Sequence, residues 1–285
     1  MKKVIIYGAG GTGIRIERQI RNQYDVVAFI DSDLDKQGTT IDGIDCIDVS
    51  QVNNFDFDQI IIGAATGYSE MIQNLSEIGV RADMISTEYT GSRVHARETF
   101  LRNYAEICTW KNDKSVCVGE AGVFRGEYAR IINDVFHDNN CYLYDTYEGF
   151  SENDITEDEL KSDVFKTKND MNGHFADTSI QLVLSRMPYP DKCIPKKGYF
   201  PDTFEEKDKR FGFVSLDMDL YRPVKAGLEC FYPILIIGGV ILCDDCFTPG
   251  HPNVRKAISD FEVEQHINLA KVPIGDGQGI AIIKS

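Results

Sequence analysis

The chain opens the same way twice, and this limits its fold more than any other feature. Val4-Ile5-Ile6-Tyr7 runs into Gly8-Ala9-Gly10-Gly11-Thr12-Gly13 and then a helical pattern. Ser115-Val116-Cys117-Val118 runs into Gly119-Glu120-Ala121-Gly122-Val123-Phe124-Arg125-Gly126 and then another. Each opening reads as a buried strand, a glycine turn and a helix N-terminus, which is how α/β sheets open a nucleotide site. Two such openings predict two α/β units, and 285 residues is a length for about two domains.

The first unit, residues 1–90, continues with a strand at 26–30 that ends in Asp31. A strand at 59–62, a helix around 70–78 and a short strand at 84–85 come next. Residues 91–114 read as a helical linker. The second unit, 115–285, has a strand at 141–144 ending in Asp145, then an acidic stretch at 151–170 with few apolar residues, expected to be a mobile segment or lid. A helix at 177–186, strands at 212–216 and 240–243, a helix at 254–263 and a closing pair of strands at 270–272 and 280–283 complete it. The longest apolar run, 230–243, is too short to span a bilayer, and Gly238-Gly239 are expected to split it into a helix end and a buried strand.

Charge and cysteine usage exclude several function classes. The formal net charge of −15 repels phosphate backbones, so a nucleic-acid partner is not expected. The apolar run at the N-terminus is too short for a signal peptide and ends in a glycine loop, so the expected location is cytoplasmic. The eight cysteines are scattered and several fall in apolar strands, as reduced core residues do. Cys243-Asp244-Asp245-Cys246 is formally a C-x-x-C, without the second pair a zinc site wants.

Two constellations carry chemistry. Gly119-Glu120-Ala121-Gly122 is the candidate cofactor loop, with Asp145, ending the next strand, placed to accept from ribose hydroxyls and Thr146 beside it. That pairing serves NAD and S-adenosylmethionine alike. Glu120 within the loop would repel a pyrophosphate but not a cationic sulfonium. The second constellation is Asp217-Met218-Asp219 together with Asp244-Asp245, each group following an apolar run. Four carboxylates converging on one sheet edge repel unless a cation joins them, and all-oxygen ligation favours Mg²⁺, Mn²⁺ or Ca²⁺ over zinc. His251, just past the second pair, is a candidate active-site residue. His95, His137, His174 and His266 show no ligand spacing and read as surface or packing residues.

From Val116 to about Phe261 the chain resembles the macrocin O-methyltransferase family. The resemblance is carried by ordered motifs: Gly119-Glu120-Ala121-Gly122 with Arg125-Gly126; Tyr144-Asp145-Thr146-Tyr147-Glu148-Gly149-Phe150; Gly198-Tyr199-Phe200-Pro201-Asp202-Thr203; Leu216-Asp217-Met218-Asp219-Leu220-Tyr221; and Tyr232-Pro233 through Gly238-Gly239 to Asp244-Asp245. It implies a class I methyltransferase sheet, S-adenosylmethionine as cofactor and a sugar or glycan-precursor hydroxyl as acceptor. It further implies Mg²⁺ on Asp217, Asp244 and Asp245, and a base at Asp219; His251, the other candidate base, is not part of the family pattern. Met218 stands where a small residue is usual, and the segment 246–253 departs from the family pattern.

The first unit separately resembles small Rossmann-like domains of bacterial glycan-modifying proteins. Gly8, Gly10, Gly13 and Asp31 match phosphate-loop and ribose-acid positions, as a candidate nucleotide site. Nucleotide-sugar binding, a scaffold or homo-oligomer surface, and NAD binding all stay open for it. Two rival functions also stay open: an NAD-dependent sugar-nucleotide oxidoreductase built on Gly8 to Asp31, and a non-catalytic sugar-nucleotide-binding protein.

Overall fold

The structure, a computed structural model, describes residues 1–64, 68–89, 92–152, 154–155, 157, 159, 175–248 and 251–285. His174 and much of the acidic stretch at 151–170 fall outside them. The chain divides into two compact units, Met1–His95 and Ala96–Ser285.

In the first unit the strands are β1 (Lys2–Tyr7), β2 (Tyr24–Ile30), β3 (Thr40–Ile41), β4 (Ile44–Ile47), β5 (Gln59–Ile62) and β6 (Ile85–Ser86); the helices are α1 (Gly11–Ile20) and α2 (Tyr68–Glu77). They form one sheet in the order β3-β4-β2-β1-β5-β6, parallel except for β3 on β4. Ile5 and Tyr7 of β1 enter one core cluster while Val4 and Ile6 enter another. Burial on both faces explains why this strand reads as an unbroken apolar run rather than an alternating one. On α1, Gly13, Ile16, Glu17 and Ile20 are buried, the three-and-four spacing of a helix with one face on a sheet. The β3–β4 hairpin was not expected from the sequence. Its turn residues Asp42 and Gly43 both have positive φ, 51° and 85°.

Helix α3 (Ser92–Ile107) occupies the segment expected to be a linker. From Ala96 on it belongs to the second unit: Arg97, Leu101 and Ala105 are buried, and the Tyr104 hydroxyl donates to the carbonyl of Gly238 at 2.7 Å. The second unit continues with β7 (Val116–Ala121), α4 (Glu127–Val135), β8 (Cys141–Asp145), α5 (Ile180–Arg186), β9 (Cys193–Lys197), β10 (Arg210–Leu216), α6 (Tyr221–Ile234), β11 (Leu235–Cys243), α7 (Pro252–Gln265), β12 (Ala270–Pro273) and β13 (Ile280–Ile283). The seven strands lie in the order β12-β13-β11-β10-β7-β8-β9. Strands β7 to β11 run parallel, and β13 pairs antiparallel with both β11 and β12. One face is covered by α6 and α7 through Val224, Leu228, Phe231, Val254, Ile258 and Phe261. The other bears Phe213 and Ser215 and is met by α3, whose Tyr104 ring lies 6.2 Å from Phe213.

Gly238-Gly239 do not divide helix from strand. The helix ends at Ile234 and both glycines lie inside β11, where the β10–β11 register shifts and Gly238 takes a φ of 77°. They make an irregular bend that a residue with a Cβ could not follow, since one on Gly239 would stand 2.8 Å from the carbonyl oxygen of Ile236. Strand β9 was also not expected. It is an edge strand, which accommodates Pro195.

Candidate active site

The crevice of such a sheet opens where the strand order reverses, here between β7 and β10. The glycine turn sits there, but it starts later than the sequence suggests. Gly119, Glu120 and Ala121 belong to β7, held on both sides by β8 and β10, so the backbone stays extended until Gly122. Gly119 is a packing glycine: a Cβ on it would meet the carbonyl oxygen of Tyr142 at 2.8 Å. Gly122 is the turn itself, with φ 85° and a virtual Cβ only 1.8 Å from the carbonyl oxygen of Asp217. Its amide donates to Tyr144 at 3.0 Å, and the amide of Asp217 donates to Ala121 at 2.8 Å, which ties three strand ends together.

Asp145 ends β8 beside this turn. Its Oδ2 accepts from the amides of Val123 and Phe124, both at 2.8 Å, and its Oδ1 from the amide of Tyr147 at 2.6 Å. The carboxylate thus braces the turn. Thr146 donates to the carbonyl of Gly149 at 2.6 Å, shaping its own bend. Glu120 is 1% exposed, and its Oε2 has no hydrogen-bond partner among the described residues. Burial, reinforced by the nearby charge of Asp217, pushes this carboxyl well above the usual range.

The predicted acids do converge. Asp217 and Asp219 follow β10, and Asp244 and Asp245 follow β11. Ligand atoms of Asp217, Asp244 and Asp245 lie within 4.8 Å of one another, as do those of Asp219, Asp245 and His251. Asp245 belongs to both sets. Asp219 and Asp245 each take a left-handed conformation, φ 61° and 52°, which aspartate tolerates better than most residues and which re-aims a side chain at a strand end. Asp245 also accepts from the Thr248 hydroxyl at 2.6 Å. Removal from water, then the charges of Asp245 and Asp217, hold the Asp219 carboxyl well above its ordinary range. His251 is half-buried at the start of α7.

A residue that the sequence did not single out completes the cluster. Arg97, from α3, is 5% exposed. Its Nη1 donates to Asp217 Oδ2 and Asp244 Oδ2, both at 3.1 Å, and its Nη2 to Ser215 Oγ at 3.3 Å. The guanidinium lies 4.3 Å from the centre of the Tyr128 ring.

The turn of the first unit repeats this plan. The amide of Gly8 donates to Ile30 at 2.7 Å and that of Gly63, following β5, to Tyr7 at 2.7 Å. Asp31 Oδ2 accepts from the amide of Ala9 at 2.8 Å and from Lys36 Nζ at 3.2 Å. Gly13 is fixed by packing, with a virtual Cβ 1.7 Å from the carbonyl oxygen of Gly8, whereas nothing lies within 4 Å of a Cβ on Gly10.

Residues 105–280 match the macrocin-O-methyltransferase (TylF) family. The chain belongs to that family. Its members are S-adenosylmethionine-dependent O-methyltransferases, and residues 1–86 match a further family, the C2185-like N-terminal domain. The chain is similar in fold to the O-methyltransferase NovP, at 20% identity over 67% of this chain and 80% of that one, with a TM-score of 0.56. It is likewise similar to the calicheamicin methyltransferase CalS11, at 16% identity over 77% and 86%, with a TM-score of 0.51. No curated protein matches the chain. The seven-stranded sheet is thus the class I methyltransferase sheet expected from the sequence. No described helix is long and apolar enough to cross a membrane.

Within this macrocin-type sheet, Arg97 had little sequence signal. Its partners lie 120 and 147 positions away, and α3 carries charge on several sides. Cys243 and Cys246, the formal C-x-x-C, are both in the apolar core cluster.

Proposed function

We propose that the second unit moves the methyl group of S-adenosylmethionine onto a hydroxyl of a sugar or glycan precursor, with a divalent cation held by Asp217, Asp244 and Asp245. The observation that carries this reading is the convergence of those acids directly against the Gly122 turn. The donor set suits magnesium, being all oxygen and carrying more negative charge than Arg97 offsets. The cofactor suits the other half of the site. The buried Glu120 carboxyl, whose Oε2 has no partner among the described residues and which a bound cation would draw into its charged form, favours an ammonium or sulfonium over a phosphate. Family membership supports the sugar acceptor. CalS11 itself is described as a TDP-rhamnose 3'-O-methyltransferase.

Each residue then has a task. Glu120 and the Gly122 turn receive the methionine end of the cofactor, and Asp145 and Thr146 keep that turn in shape beside the ribose. A magnesium ion would supply Lewis acidity that lowers the pKa of the acceptor hydroxyl. Asp219 takes the hydroxyl proton; His251 is the alternative base. Alignment of oxygen, methyl carbon and sulfur supplies much of the rate. The first unit serves acceptor delivery or assembly.

Two measurements test this. S-adenosylhomocysteine should bind the intact protein in calorimetry, and Asp145→Ala should weaken it by about 1.5–3 kcal/mol, the size of lost charged hydrogen bonds. Methyl transfer should stop in EDTA and return with Mg²⁺, and Asp244→Asn should mimic the chelator. Full turnover in EDTA would sink the cation-assisted mechanism and leave acid–base catalysis by Asp219 alone.

A further inference from the structure

A buried guanidinium is costly, and it persists where carboxylates surround it. Arg97 meets that condition in an unusual place. One nitrogen, Nη1, spans Oδ2 of both Asp217 and Asp244 at 3.1 Å, so two of the three candidate cation ligands are already joined by a positive charge. Ser215 Oγ and the Tyr128 ring fix the guanidinium from the sides, while its Nε is buried without a partner among the described residues. Arg97 thus brings one positive charge to the two acids that it bridges.

We propose that Arg97 is the built-in counter-charge of the acidic mouth. It is a positioning residue that holds Asp217 and Asp244 together before a cation binds and sets how tightly that cation is held. This rests on the cation reading above. Removing Arg97 has two opposed consequences: the ligands lose a brace, and a positive charge disappears from within hydrogen-bond reach of two of them. The charge effect is the larger, because like charges this close in a buried setting repel strongly. The brace matters less, because the strand ends anchor the acids independently: the amide of Asp217 is bound to Ala121 at 2.8 Å and that of Asp244 to Leu216 at 3.0 Å.

The test is Mn²⁺ binding to the full chain, by electron paramagnetic resonance or calorimetry, with neither methyl donor nor acceptor present. Arg97→Met should bind Mn²⁺ at least ~10-fold more tightly than the parent, and should melt at a lower temperature than the parent in EDTA. Arg97→Lys keeps the charge but not the fork, and should stay within ~3-fold of the parent affinity. If Arg97→Met does not fold, Arg97→Gln, which keeps a donor but no charge, carries the same expectation. Parent binding with equal or weaker affinity in the uncharged variant overturns the counter-charge role alone. A parent that binds no Mn²⁺ overturns the cation reading and this inference with it, so the two failures differ in the parent's own titration.

Discussion

The two sheets open their crevices by one plan and diverge one strand later. In each, the turn glycine bonds to the end of the second strand: Gly8 to Ile30 and Gly122 to Tyr144. In each, an aspartate at that strand's end braces the turn amides, Asp31 just past β2 at Ala9 and Asp145 closing β8 at Val123 and Phe124. In each, the neighbouring strand end bonds back to the first, Gly63 to Tyr7 and Asp217 to Ala121. Past that strand end the two units part. The first continues with Gly63-Ala64, the second with Asp217-Met218-Asp219. Two residues before the turn stands a buried Ile6 in one unit and a buried Glu120 in the other. Among the described residues, the acid triad and the two-aspartate, one-histidine cluster both belong to the second unit. A glycine turn with its bracing acid is therefore generic scaffolding, and the chemistry is decided by the adjoining strand ends.

The largest effect that separates the two turns is expected at Gly122. Its φ of 85° strains any side chain, and the virtual Cβ collides at 1.8 Å with backbone, which no rotamer change relieves. Gly122→Ala should cost more than ~3 kcal/mol or yield no folded protein, and should abolish S-adenosylhomocysteine binding. A Gly122→Ala protein with the parent melting temperature and cofactor affinity would mean that the turn and the Asp217 strand end are not in contact.

Smaller, and dependent on pH, is the contrast between Ile6 and Glu120. Burial raises the folded-state pKa of Glu120, so the folded chain holds a proton that the unfolded chain releases near pH 4.3. Stability from this group is therefore present at low pH and is lost as pH rises from that value towards the raised folded pKa. Glu120→Gln should remove that slope and make the protein more stable than the parent at pH 8, while weakening cofactor binding. Parallel stability-against-pH curves for parent and variant would show that Glu120 is not held protonated by the fold.

How much of this was legible in the sequence depends on the range of the interactions involved. Strands β1, β2, β5, β7, β8, β10 and β13 are legible because burial on both faces writes itself as a local apolar run. The acids at the ends of β10 and β11 are legible because a polar cluster abruptly ends such a run. The β3–β4 hairpin had a local signal in Asp42-Gly43, a pair suited to a turn with two positive φ values. Strand β9 had little, since Cys193-Ile194-Pro195-Lys196-Lys197 lacks the apolar run of a central strand and lies at the sheet edge. Gly119 could not be told from Gly122, because one serves strand packing and the other a left-handed turn, and both needs select the same residue. Arg97 was out of reach for a different reason. A buried ion pair is defined by partners on β10 and β11, and nothing adjacent to the arginine marks it.

The smallest effect expected is at Gly10, and its smallness is the point. Gly10 precedes α1 with extended backbone, φ −88° and ψ −172°, which any residue adopts, and a Cβ there meets nothing within 4 Å. Gly10→Val should therefore fold and keep its stability within ~0.5 kcal/mol. It should leave S-adenosylhomocysteine affinity unchanged, because every group assigned to the cofactor lies in the second unit. Gly13 could not serve as this probe, since a side chain there would strike Gly8 and unfold the turn. If the first unit carries the nucleotide of a nucleotide-linked acceptor, valine at position 10 blocks the close approach that phosphates need at a helix N-terminus, and the KM for such an acceptor rises while cofactor binding does not. An unchanged KM would assign the first unit to assembly rather than delivery. A fall in cofactor affinity would be the more serious result, because it would make the first glycine turn part of the methyl-transfer site and end the division of labour between the two sheets.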